Sequence, residues 1–259
     1  MNELTTATSK TWQQGYGPIS HNNETIERVA ALAASGLIEP EALYRILAAA
    51  DRLTSAAMWT VVHMTYAHRV DLSGTPLPAE AFKSTPEGHT GGSLNMVPAF
   101  IGYLAANAIT AKTRSWLMGQ GHSVAAIEAV NALTGDVSPA QRGRYDRSEK
   151  GLSQLAADFY SYAIDADGNA AVPLGSHAGP NTAGAISEGG YLGFAEVQYV
   201  HAPLPGESLV AFLSDGAFEE QRGSDWTPRW WRAEDSGIAI PVMILNGRRI
   251  EERVQIAQQ

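Results

Sequence analysis

Apolar and polar positions along this chain follow two different periods. Over residues 41–70, behind Pro40, apolar side chains recur at helical spacing, which predicts one long helix. Asn22 or Asn23 can cap a shorter helix running to about Ser35 and stopped by Gly36. Further helices are expected over residues 94–109, 123–133 (closed by Gly135) and 151–162, and through about Val200. Between them stand three short apolar runs, at residues 115–118, 208–213 and 238–245, which read as buried strands. Residues 71–92, with Pro76, Pro78 and Pro86, form a loop, and so do residues 136–150. Residues 1–23 are polar, contain Gly15, Gly17 and Pro18, and read as an extended or flexible arm ahead of a domain over residues 24–259.

Helices and strands alternate, so the fold class expected is α/β with a parallel sheet. Three strands are few for a doubly wound sheet. Either some strands are hidden among the helices, or another polypeptide completes the sheet. The run at 208–213 ends in Ser214-Asp215-Gly216, and the run at 238–245 ends in Asn246-Gly247. Asp215 and Asn246 therefore stand at the carboxyl ends of two parallel strands, the edge where open α/β sheets bind ligands. A carboxylate and an amide oxygen together suit a hard cation such as Mg²⁺, which can also hold phosphates.

Composition narrows the partners. A net charge of −9 argues against nucleic acid and against anionic membrane surfaces as main partners. Cysteine is absent, so disulfides, thiolate metal sites and cysteine nucleophiles are excluded. The N-terminal sequence lacks the apolar core of a signal peptide, and no run approaches a membrane span; a cytoplasmic location is the default expectation.

Three histidines stand beside glycines ahead of helices, in Gly88-His89, Gly121-His122 and Ser176-His177. Any one loop histidine is ordinarily a solvated residue. As a set they are candidates for proton transfer or for contact with a phosphate near neutral pH. His63 and His68 fall inside a helix and read as structural or surface residues, while His21 and His201 carry no signal. Glu188-Gly189-Gly190, with Gly193, could turn backbone N–H groups toward a diphosphate. Trp226, Trp230 and Trp231 read as a packed cap or interface, with Arg229 and Arg232 as a solvated basic turn.

In order along the chain, these segments resemble the amino-terminal part of phosphoketolases, within the transketolase group of thiamine diphosphate enzymes. The family's Gly-His-Trp-Gly…Gly-Leu-Asn is similar to Gly88-His89-Thr90-Gly91-Gly92-Ser93-Leu94-Asn95. Its Gly-Pro-Gly-His-Gly-Gly is similar to Gly119-Gln120-Gly121-His122-Ser123-Val124. Its Ser-His…Glu-Gly-Gly-Glu-Leu-Gly is similar to Ser176-His177…Glu188-Gly189-Gly190-Tyr191-Leu192-Gly193. Its Gly-Asp-Gly…Leu-Asn-Gly-Tyr-Lys-Ile is similar to Ser214-Asp215-Gly216…Leu245-Asn246-Gly247-Arg248-Arg249-Ile250. Single motifs of this kind are common; four in order, over roughly residues 49–250, make a specific match.

The resemblance implies a thiamine diphosphate-binding domain of the diphosphate (PP) type. It implies that Asp215, Asn246 and the backbone carbonyl of Arg248 hold Mg²⁺, which holds the diphosphate. It implies that His89, His122 and His177 line cofactor and substrate as acid–base residues. His122, Glu188, Gly189, Gly190 and Gly216 would stand with Asp215 and Asn246 around the cofactor. The departures are Ser123-Val124 for a glycine pair, Ser214 for the first glycine of the metal motif, a first motif two residues shorter, and the Trp- and Arg-rich residues 226–232 between the metal ligands.

Phosphoketolases are far longer. Their pyrimidine-binding and C-terminal domains have no counterpart here, so a second subunit is expected to supply them. The function expected is one subunit of a two-component enzyme that cleaves a ketose (or its phosphate) or a 2-oxo substrate and transfers a two-carbon unit, as a lyase or ketol transferase. The alternative is a degenerate relative acting as a non-catalytic scaffold or regulatory subunit.

Overall fold

In a computed structural model the structure describes residues 3–118, 121–168, 172, 208–215 and 238–245. The helices are α1 (Glu3–Gln13), α2 (Asn23–Ala34), α3 (Pro40–Tyr66), α4 (Thr90–Thr110), α5 (Val124–Thr134), α6 (Pro139–Arg142) and α7 (Glu149–Asp158). The strands are β1 (Ser115–Met118), β2 (Ser208–Ser214) and β3 (Ile238–Ile244). The chain divides into two compact units. One takes residues 1–83, 100–113 and 126–157; the other takes 84–99, 114–125 and 158 onward.

The first unit is helical. Pro40 occupies the first turn of α3, where its missing N–H costs nothing. Leu43, Tyr44, Asp51, Thr54, Ser55, Ala57, Val61 and Met64 are among its buried residues, and from Asp51 onward Thr54, Ala57, Val61 and Met64 follow at spacings of three and four. Asn22 caps α2, its side chain accepting from the Thr25 N–H at 2.8 Å. Residues 3–13 are not an extended arm. They form α1, which lies against α3 and buries Thr5, Ser9 and Trp12. Among its described side chains the buried ones are one tryptophan and two small polar residues, so apolar periodicity does not reveal it. The Trp12 ring stacks on His21 with centroids 4.4 Å apart, and His21 Nε2 lies 2.8 Å from Asp51 Oδ2 on α3. His21 is thus a structural clasp, a role its sequence context gave no sign of.

The second unit carries the sheet. All pairings are parallel and the strand order is β1-β2-β3, as the alternation of elements predicts. Ser115 pairs with Leu209 and Met118 with Phe212; Ser208 pairs with Ile238 and Ser214 with Ile244. Leu209, Val210, Ala211 and Phe212 are all buried, as expected of a central parallel strand. This register brings the carboxyl ends of all three strands to one edge. From that edge β1 leads toward His122, and β2 leads directly to Asp215. No helix among the described residues is long and apolar enough to cross a membrane.

Candidate functional site

The site begins where α4 and α5 begin. The expected loop over 71–92 ends early: α4 starts at Thr90, and the Ser93 N–H donates to the His89 carbonyl at 3.0 Å. His89 therefore stands just ahead of the helix. His122 lies in a one-turn 3-10 helix, Gly121–Ser123, leading into α5. The two rings meet edge to face, with centroids 4.9 Å apart and planes at 67°. Both imidazoles are pushed toward the neutral form. Burial lowers the pKa of His89; burial, with His89 as second cause, lowers that of His122 to about 4. At neutral pH each ring therefore offers one donor and one acceptor and no charge.

Gly92 makes this approach possible. A Cβ there would stand 2.9 Å from Ser123 Oγ and 3.2 Å from His122 Cδ2 and Nε2. Around it, Ser93 Oγ, Ser123 Oγ and His122 Nδ1 are buried without a hydrogen-bond partner. A buried group left unmade costs about 1–3 kcal/mol, so this is a locality that a polar ligand would complete. Ser93 and Ser123 stand at positions where the motifs above carry glycine, and sequence pattern alone gives no reason to expect their hydroxyls inside.

Asp215 follows the last residue of β2 and is 1 % exposed. It belongs to the same compact unit as His89 and His122. A carboxylate so buried at the carboxyl edge of a parallel sheet suits a cation that brings anionic oxygens with it. His177, Glu188, Gly189, Gly190, Gly216, Asn246 and Arg248 lie outside the described residues, as do Trp226, Trp230, Trp231, Arg229 and Arg232. Among the described residues no group of three or more histidines and acids is gathered for a metal.

Two further features were not legible in the sequence. Glu128 on α5 is held largely out of water, and that burial raises its pKa to about 7. Tyr160 and Tyr162, just after α7, have positive φ angles of 68° and 51°. Each such non-glycine residue costs about 1–2 kcal/mol.

The residues that fit a diphosphate cofactor and its cation are thus a buried carboxylate at the sheet edge and a polar cluster of neutral imidazoles and unpaired hydroxyls. The fold is a parallel-sheet α/β domain in which His122 and Asp215 follow the carboxyl ends of strands. The chain matches the model of the XFP N-terminal domain over residues 42–259 and belongs to that family. It is 27% identical over 242 residues to a probable phosphoketolase of Brucella melitensis, covering 89% of this chain and 28% of that protein. With a probable phosphoketolase of Lactococcus lactis it shares 26% identity over 194 residues, 72% of this chain and 22% of that protein. A probable phosphoketolase of Bradyrhizobium diazoefficiens is 30% identical over 208 residues, 77% of this chain and 24% of that protein. The chain therefore spans about a quarter of the length of these relatives.

Proposed function

We propose that this chain is the diphosphate-binding part of a phosphoketolase-like enzyme that uses thiamine diphosphate and Mg²⁺. The observation that carries this reading is the buried Asp215 carboxylate at the carboxyl end of β2, in the same compact unit as the neutral His89–His122 pair. Asp215, with Asn246 and the Arg248 carbonyl, would hold the Mg²⁺. His122, Glu188, Gly189, Gly190 and Gly216 would surround the diphosphate. When bound, thiamine diphosphate supplies a carbanion able to add to a carbonyl and a ring that accepts the electrons of C–C cleavage.

The chain's own residues would do the rest. His89 and His122, neutral at working pH, can each take a proton at one ring nitrogen and present another at the opposite nitrogen. His177 is the third candidate for such transfers. The substrate class is a ketose, its phosphate or another 2-oxo substrate. The two-carbon unit ends as an acyl phosphate in a phosphoketolase outcome and on an aldehyde acceptor in a transketolase outcome. The reactive ring of the cofactor would be covered by a second subunit with pyrimidine-binding and C-terminal domains, so the working site is completed between chains. The expected result is acyl phosphate release from a ketose phosphate and inorganic phosphate only when that subunit is present. Turnover by this chain alone contradicts the two-component part of the reading.

A second reading has an observation of its own. Ser123, with Val124 in place of a glycine pair, puts a hydroxyl that is 1 % exposed beside the pair of rings. A non-catalytic scaffold or regulatory subunit would tolerate that change. It would show no Mg²⁺-dependent binding of thiamine diphosphate, with or without a partner.

A further inference from the structure

The stretch after α7 carries features that the proposed chemistry does not use. Tyr160 and Tyr162 both hold left-handed backbone, separated by Ser161, whose N–H donates to the Asp158 carbonyl at 2.9 Å. Strain of this kind persists where the surroundings hold it, and it gathers at ligand sites. The rings form a series. Phe159 meets Tyr160 edge to face at 4.9 Å, and Tyr160 meets Tyr162 at 5.4 Å. The inner end of the series rests on Gly88: a Cβ there would lie 3.1 Å from Phe159 Cε1 and 3.5 Å from Tyr160 Cε2. The series thus starts one residue from His89. Its outer end is open, with Phe159 2 % exposed and Tyr162 49 %. Burial, Tyr160 and then the Glu87 charge raise the pKa of the Tyr162 hydroxyl, and Glu87 directly precedes Gly88, on which the inner rings rest.

A tyrosine ring covers C–H surface while its hydroxyl both donates and accepts, and a carboxylate accepts from hydroxyl groups. That combination suits an uncharged polyhydroxylated carbon chain. The Glu87 carboxylate disfavours a phosphate at the same place.

We propose that Tyr160, Tyr162 and Glu87 form a carbohydrate-binding wall continuous with His89, which takes the hydroxylated carbon chain of a ketose and leaves any phosphate to another part of the site. The proposal rests on His89 facing substrate in the function argued above. It assigns specificity to side chains outside the histidine and glycine motifs.

The test is an NMR titration of the full chain carrying ring-labelled tyrosine, with D-fructose, D-fructose 6-phosphate and inorganic phosphate as probes. Both sugars are expected to shift the Tyr162 ring, and inorganic phosphate alone is expected to leave it unmoved. Tyr162→Ala should weaken both sugars at least about fivefold, while Tyr162→Phe keeps most of the affinity. Sugars that leave the ring unshifted, phosphate that shifts it, or Tyr162→Ala with unchanged sugar affinity would each overturn the proposal. Binding of Mg²⁺–thiamine diphosphate, followed on the same samples, separates the two claims. If the cofactor binds and the sugars do not, only the wall fails. If the wild-type chain binds no cofactor, the functional reading fails first.

Discussion

His122 and Glu128 titrate out of their ordinary order, and in opposite senses. Unfolded His122 takes a proton near pH 6.5 and folded His122 only near pH 4. Between those values unfolding takes up a proton, so this residue lowers stability as pH falls from about 6.5 to 4. Folded Glu128 keeps its proton up to about pH 7, while the unfolded side chain gives it up near 4.5. Between those values unfolding releases a proton, so this residue lowers stability as pH rises from about 4.5 to 7. Across the overlap the two slopes oppose each other. Glu128→Gln removes one of them. Urea unfolding should show stability rising more steeply from pH 4.5 to 6.5 in the variant than in the parent chain, by on the order of 1 kcal/mol after solvent screening. A level profile in the variant contradicts the buried, neutral His122. His89 and His122 were readable as candidates because glycines flank them. Their contact was not, because 33 positions of chain separate them.

At the scale of elements, the first turn of α4 is the part most sensitive to a single methyl group. A Cβ at Gly91 meets nothing within 4 Å, whereas one at Gly92 runs into Ser123 and the His122 ring. Both positions lie in the helix, where alanine is favoured over glycine by about 1 kcal/mol. Gly91→Ala should therefore raise stability, and Gly92→Ala should lower it by about 1–2 kcal/mol through overpacking. Matched thermal melts that move the same way would contradict the close approach on which the site depends. Elements were legible wherever apolar residues drive them. β2 and β3 follow from two apolar runs with turn residues behind them, and α3 from its stripe behind Pro40. Helix α1 was hidden because it buries threonine and serine around a single tryptophan. The left-handed tyrosines were hidden because tyrosine is a poor sequence signal for positive φ.

For the molecule as a whole, the parallel sheet decides where ligand chemistry can gather. Its register brings the carboxyl ends of β1, β2 and β3 to one edge, which leads into His122 on one side and places Asp215 at the centre. The fold class and this edge were readable from the alternation of elements. The clasp between His21 and Asp51 was not, since it joins an unremarkable loop histidine to a helical aspartate 30 positions away. As proposed above, the chain would hold the diphosphate end of thiamine diphosphate through Mg²⁺ at Asp215. This is tested most directly by calorimetric titration of Mg²⁺–thiamine diphosphate into the full chain and into its Asp215→Ala variant. Saturable binding is expected, abolished by a chelator and weakened at least about tenfold by Asp215→Ala. Absence of binding to the parent chain, or equal affinity in the two proteins, would contradict it.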